Sequence, residues 1–197
     1  RFSFKHNPKA LLSPAALNAY LDCRLRFYFK YVANLKAPNE IHAEIDSATF
    51  GSIFHRAAEC IYADLTTHGK VINKDTLETL LQEEVKLQNY VDNGFKELFF
   101  HLPADERPEY NGVQLINSAV ILRYIQQLLR NDLRHAPFTF VGSEQRVMED
   151  VEIQTPKGAI RSRMGGIIDR MDSKDNVLRI VDYKTGGKAD TPPSVES

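Results

Sequence analysis

The stretch VLRIVDYKTGG, residues 177–187, reads as a strand with reactive side chains at its end. Period-two geometry places Leu178, Ile180, Asp182 and Lys184 on one face, so a strand expected to be buried presents an acid and a lysine side by side where it stops. Just upstream, GGIIDRMD at 165–172 gives Ile167, Asp169 and Met171 a common face, and SKDN at 173–176 joins the two. An even-length hairpin that pairs 172 with 177 sets Asp169 against residue 180 and diagonal to Asp182 on the same face, roughly 7–8 Å away at the backbone. An odd-length loop would put the two acids on opposite faces.

Two carboxylates that converge without a cation repel, and one tends to keep its proton, whereas a hard divalent ion lets both stay ionised. Magnesium or manganese suits such a site. These ions retain waters, bind phosphate oxygens and lower the pKa of an attacking water. Lys184, two residues from a ligand, is placed to orient that water or to steady charge on a phosphate. The plainer reading is a strand-end ion pair between Asp182 and Lys184, with Asp169 merely beginning a turn. A bare D-x-K does not decide between them.

Outward from this segment, FTFVGSEQRVMEDVEIQT at 138–155, a Pro-Lys-Gly turn and the two segments above read as three strands joined by short turns. Everything before Pro137 is mainly helical. Ser13 can cap and Pro14 can open a helix over 14–33 carrying Leu17, Tyr20, Leu21, Tyr28 and Val32 at helical spacing. A polar connector over 35–46 precedes a helix from Ser47 with Phe50, Phe54, Ala58, Ile61 and Leu65 on one face, ending near Gly69. Further helices are expected from Lys74 to Tyr90 and from Asn111 to Leu133, the latter through Val113, Ile116, Val120, Leu128 and Leu129. The expected fold is α/β (α+β), a small mixed β-sheet flanked by helices with the N-terminal two thirds mainly helical, and residues 1–197 as a single domain.

A chain of 197 residues with 43% hydrophobic and 26% charged positions is not disordered, and its eleven Phe and eight Tyr can fill a core without staples. A net charge of -1 excludes a uniformly basic nucleic-acid binder but leaves a local groove open. Cys23 and Cys60 stand far apart with no finger-like partners, which fits a reducing compartment. There is no signal peptide and no apolar run near the ~18 residues of a membrane span, so the expectation is a soluble, cytoplasmic chain. It opens at Arg1 and stops at TPPSVES just after a strand-like segment, as expected of a piece truncated at its C-terminus.

The ordered set GSIFHRAAE at 51–59, GGIIDRMD and IVDYKTGG resembles the PD-(D/E)XK nuclease superfamily, and within it nuclease domains of the RecB and AddB type. LSPAALNAYLDCRLRFYFKYV at 12–32 is similar to the helix that opens such domains. The resemblance runs roughly over 11–187 and implies a restriction-endonuclease-like core. It implies that His55, Asp169, Asp182 and the backbone carbonyl of Tyr183 hold Mg2+ or Mn2+. Asp169, Asp182 and Lys184 are then catalytic, with Lys184 serving the attacking water. It further implies an exonuclease-type deoxyribonuclease acting on DNA, with a helicase domain or subunit of the same repair and recombination complex as partner. RecB-like domains continue past D-Y-K-T-G into a helix bearing Q-x-x-x-Y, before which this chain stops, so the isolated fragment can be inactive where its parent cuts DNA.

Other residues keep plainer expectations. Cys23 stands where AddB-like members have the first of four cysteines of an iron–sulfur cluster, but the other three are not in this chain and a buried helical thiol is expected. Glu144 is read as a solvent-facing strand acid, although some relatives use a further acid. Arg170 can pair with Asp172 or reach a phosphate. Arg24, Arg26, Phe27, Tyr28, Lys30 and Tyr31 read as core aromatics with solvated basic neighbours rather than as a surface for single-stranded DNA. Two rival functions remain: a catalytically inactive nuclease-fold domain that binds DNA or a partner subunit, and an unrelated metal-dependent phosphoesterase acting on a small molecule.

Overall fold

Ser13 caps α1 (Pro14–Asp22) as its sequence requires, its hydroxyl accepting from the Ala16 N–H at 3.1 Å ahead of Pro14 in the first turn. This computed structural model describes residues 11–35, 44–103 and 106–186, which fall into two compact units. The first holds residues 11–35 and 144–168, the second residues 44–103, 106–143 and 169–186. Most of the expected connector over 35–46, and the end TPPSVES, lie outside the described residues.

In the first unit the helix expected over 14–33 is interrupted. Cys23 adopts extended backbone (φ −157°, ψ 108°) and separates α1 from the single turn α2 (Arg24–Phe27), which runs into a π-helical turn, Tyr28–Val32. The expected stripe is not the buried face, because the inward positions of α1 are taken by Ala16 and Ala19. Ala16 and Ala19 are buried, whereas Tyr20, Leu21 and Tyr28 are exposed, and no residue of α2 or the π turn is buried. The aromatics expected in the core are therefore not core residues. Leu12 forms a parallel bridge with Met164, donating to the Arg163 carbonyl at 2.8 Å and accepting from the Gly165 N–H at 3.2 Å.

In the second unit, α3 (Ser47–Leu65) is capped by Asp46, whose carboxylate accepts from the Thr49 N–H at 2.6 Å. The helix stops at Leu65, four residues short of Gly69. The two-residue strand β1 (Val71–Ile72) follows, too short to leave a periodic signal. The next helix divides at Glu83 (ψ 63°) into α4 (Lys74–Gln82) and α5 (Glu84–Phe95), and α5 runs into a π-helical turn, Lys96–Phe100. Asn111 and Gln114 cap α6 (Gly112–His135) reciprocally, at 2.9 Å in each direction. Ile53, Phe54 and Ile61 of α3 meet Leu77 of α4, Leu87, Val91 and Phe95 of α5 and Ile121, Ile125 and Leu129 of α6 in one core. Val113 and Ile116, expected to face inward, are exposed, because Gln114, Ser118 and Asp132 take the buried face of α6. The side chain of each of the three is hydrogen-bonded there, which offsets the cost of burying it.

The sheet has the order β1-β2-β3-β4, with β2 Phe138–Thr155, β3 Gly158–Lys174 and β4 Val177–Val181. β1 pairs antiparallel with β2, and β3 with β4. The expected mixed character rests on the Leu12–Met164 bridge. Lys174 pairs with Val177 across a two-residue turn in which Asp175 (φ 51°) and Asn176 (φ 63°) are both left-handed, as a type I′ turn demands. The hairpin is tighter than the sequence expectation by two residues, both on the β3 side, because residue 174 rather than 172 pairs with 177, and Met171 stands opposite Ile180. Parity is kept, so Asp169 and Asp182 stay on one face, and extending the ladder brings them directly opposite rather than diagonal.

Candidate functional site

The inward face of the β3–β4 hairpin is polar. Arg170 and Asp172 are 1% and 0% exposed, and Arg179 lies beside them. Leu178 and Ile180, expected to be buried, are 55% and 61% exposed on the other face. The cause is an acid from α6. Asp132 accepts from Arg170 at 2.6 and 2.8 Å, from Arg179 at 3.3 Å and from the Tyr62 hydroxyl of α3. Asp172 accepts from Arg179 at 2.7 and 2.8 Å. The Arg170 guanidinium stacks 4.4 Å from the Tyr62 ring centroid. Fully buried and doubly paired, Arg170 is a structural residue and not a phosphate ligand.

With odd and even residues so divided, Asp169 emerges on the opposite side of β3 from Arg170. Its Oδ2 accepts from the Tyr183 N–H at 2.6 Å, and its Oδ1 lies 3.7 Å from His55 Nδ1. The Tyr183 ring packs edge-on against His55 and Phe54, at 5.4 and 5.5 Å between centroids. Burial pushes its phenol pKa up, with Arg170 partly opposing. Gly51, one turn before His55, allows the approach of the chain after β4: a Cβ there would stand 3.2 Å from Thr185 Oγ1.

Three of the candidate residues, His55, Asp169 and Tyr183, therefore come together. Asp182 and Lys184 instead form an ion pair with each other at 2.7 Å, both side chains 63% exposed. Cys23 is exposed, not buried as expected. Glu144 is half-buried rather than solvent-facing, with left-handed backbone (φ 49°) that interrupts the regular course of β2. Asp132, Tyr62 and Arg179 escaped the sequence reading altogether. A signal for Asp132 existed: it continues the run Ile121, Ile125 and Leu129 at helical spacing, an acid where an apolar residue belongs.

The separation of His55 Nδ1 and Asp169 Oδ1 is close to that of two neighbouring ligands on one ion, each about 2.0–2.2 Å from the metal. Imidazole and carboxylate are donors that accept a divalent first-row or magnesium ion. A family model describing the PD-(D/E)XK nuclease superfamily matches residues 11–197. The chain belongs to the PD-(D/E)XK nuclease superfamily. Its helices and antiparallel sheet are consistent with the restriction-endonuclease-like fold of that superfamily, whose nucleases generally use divalent metals. Over 188 residues this PD-(D/E)XK chain is 26% identical to an ATP-dependent helicase/deoxyribonuclease subunit from Carboxydothermus hydrogenoformans, covering 91% of the chain. It spans only 16% of that protein. Among the described residues, no helix is long and apolar enough to cross a membrane.

Proposed function

We propose that this chain is the nuclease domain of a DNA-processing protein, hydrolysing DNA phosphodiesters with a magnesium or manganese ion held by His55, Asp169, Asp182 and the Tyr183 carbonyl. The convergence of His55 on Asp169, itself oriented by the Tyr183 N–H, carries the reading. When bound, the ion polarises a phosphate oxygen and activates a water. The chain's own residues do the rest. The Asp169–Tyr183 bond fixes where the end of β4 runs relative to β3, and Lys184 is the cation placed to steady charge on the phosphate. The chain is read as one domain of a longer, cytoplasmic repair and recombination protein with a helicase domain or subunit as partner. The name of the relative, a helicase/deoxyribonuclease subunit, supports a helicase partner and DNA as substrate, while the repair setting and exonuclease action are what the RecB and AddB resemblance implies.

A catalytically inactive domain that binds DNA or a partner subunit is the second reading, favoured by the exposed Asp182–Lys184 pair, which an unused strand end also forms. Cleavage of linear and circular DNA by the full-length parent, with and without Mg2+, beside Asp169→Ala, Asp182→Ala and Lys184→Ala, separates them. Loss of at least ~100-fold in each variant is expected from removing a group that binds the ion or the developing charge. Parental activity in all three would falsify the assignment, and DNA retention without metal-dependent cutting by the parent supports the second reading.

A further inference from the structure

We infer that Asp132 is a positioning residue for the metal site, setting its affinity for the ion without touching it. The elements that carry the candidate ligands are α3 with His55, β3 with Asp169, and β4 with the chain leading to Asp182 and Tyr183. Each sends one side chain to this carboxylate: Tyr62 from α3, Arg170 from β3 and Arg179 from β4. Tyr62 lies two turns after His55 on the same helix, and Arg170 follows Asp169 directly. Asp132 is 2% exposed and accepts from all three donors, so water is not available to replace it. Asp172 reinforces two of the three, with Arg179 at 2.7 Å and Arg170 Nε at 3.2 Å.

A bidentate arginine–carboxylate pair fixes the orientation of both planes, not only their separation. With its guanidinium held in that pair, Arg170 ties to α6 the part of β3 that carries Asp169, and so restrains Asp169 relative to His55. The rings confine the same unit from the sides, because the Arg170 guanidinium lies 4.4 Å from the Tyr62 centroid and 5.9 Å from that of Tyr183. Tyr183 in turn touches His55 edge-on and donates its N–H to Asp169. The network is thus a second layer behind the ligands, and loss of such a layer costs metal affinity about 10–100-fold while the ligands themselves are unchanged.

This inference rests on the metal-site reading above, and its test separates the two. Mn2+ binding to the full-length parent is followed by electron paramagnetic resonance, and the Mg2+ concentration giving half-maximal cleavage is measured alongside. Asp132→Asn, which keeps the shape and removes the charge, is expected to weaken Mn2+ binding and raise half-saturating Mg2+ by ~10–100-fold, with the rate at saturating Mg2+ reduced far less. Tyr62→Phe leaves both arginine pairs intact and is expected to shift the same two quantities by ~3-fold, within the range of one hydrogen bond. It is the deciding variant if Asp132→Asn does not fold. Parental Mn2+ affinity in folded Asp132→Asn, or in Tyr62→Phe where the first does not fold, overturns the inference. If Asp169→Ala keeps parental Mn2+ binding, the metal-site reading fails and takes the inference with it. Lost binding in Asp169→Ala beside parental binding in Asp132→Asn overturns the inference alone.

Discussion

Alanine placed at Gly165 and at Gly166 should move stability in opposite directions, although the two glycines are adjacent in one strand. Neither has a positive φ, so alanine adopts the native backbone at both and the difference is one of contact. At Gly165 a Cβ would stand 2.3 Å from the Val147 carbonyl oxygen and 3.1 Å from both Met148 Cα and Leu11 Cδ1. Clearing the oxygen to 3.0 Å needs a shift of about 0.7 Å in sheet backbone, which its ladder and the Gly165 N–H bond to Leu12 hold in place. Overpacking of this kind costs ~1–3 kcal/mol. The stiffer unfolded chain returns ~0.4–1 kcal/mol. The net loss of ~1–2 kcal/mol lowers the melting temperature by ~2–8 °C for a chain of this size. At Gly166 the nearest atom is Pro14 Cδ at 3.5 Å, an ordinary contact, so only the unfolded-state gain remains and the melting temperature rises by ~1–4 °C. Thermal melts followed by circular dichroism give both values. Equal shifts, or a Gly165→Ala variant as stable as the parent, refute the argument that backbone approach accounts for the first glycine.

Asn176→Val puts a β-branched residue at φ 63° in the two-residue turn and should cost ~1–2 kcal/mol in chemical denaturation, whereas Asn176→Gly should be neutral or slightly stabilising. Equal effects of the two would show that the left-handed turn does not constrain the hairpin. Burial, and then the Arg179 charge, hold the His135 imidazole below its ordinary value, with Lys174 adding to this and Asp172 and Asp132 opposing it. The unfolded chain therefore binds the proton more readily, and this contribution to stability is complete above about pH 6.5 and is lost as the pH falls below it. His135→Gln should flatten the decline of the melting temperature between about pH 7 and pH 5, and an unchanged slope in that variant sinks the assignment.

Much of the helical part was legible because its signals are local. Ser13-Pro14 and Asn111 start helices where capping chemistry says they should, and Phe54, Ala58 and Ile61 sit on the buried face of α3. The failures share one cause. Leu21 and Ile116 are apolar residues at helical spacing, yet they are exposed because inward positions went to Ala16 and Ala19 in one helix and to Gln114, Ser118 and Asp132 in another. Periodicity counts apolar residues and cannot see that a polar one has found a partner 38 or more residues away, as Asp132 has in Arg170.

The site divides along the same line. The sequence alone determined the hairpin and the shared face of Asp169 and Asp182, since turn parity and side-chain alternation are properties of neighbouring residues. Only the tertiary structure decided which face of that hairpin is buried. It turns its arginines inward, because Asp132 offers a buried carboxylate to Arg170 and Arg179, and a charge that is fully paired can displace leucine and isoleucine from the interior.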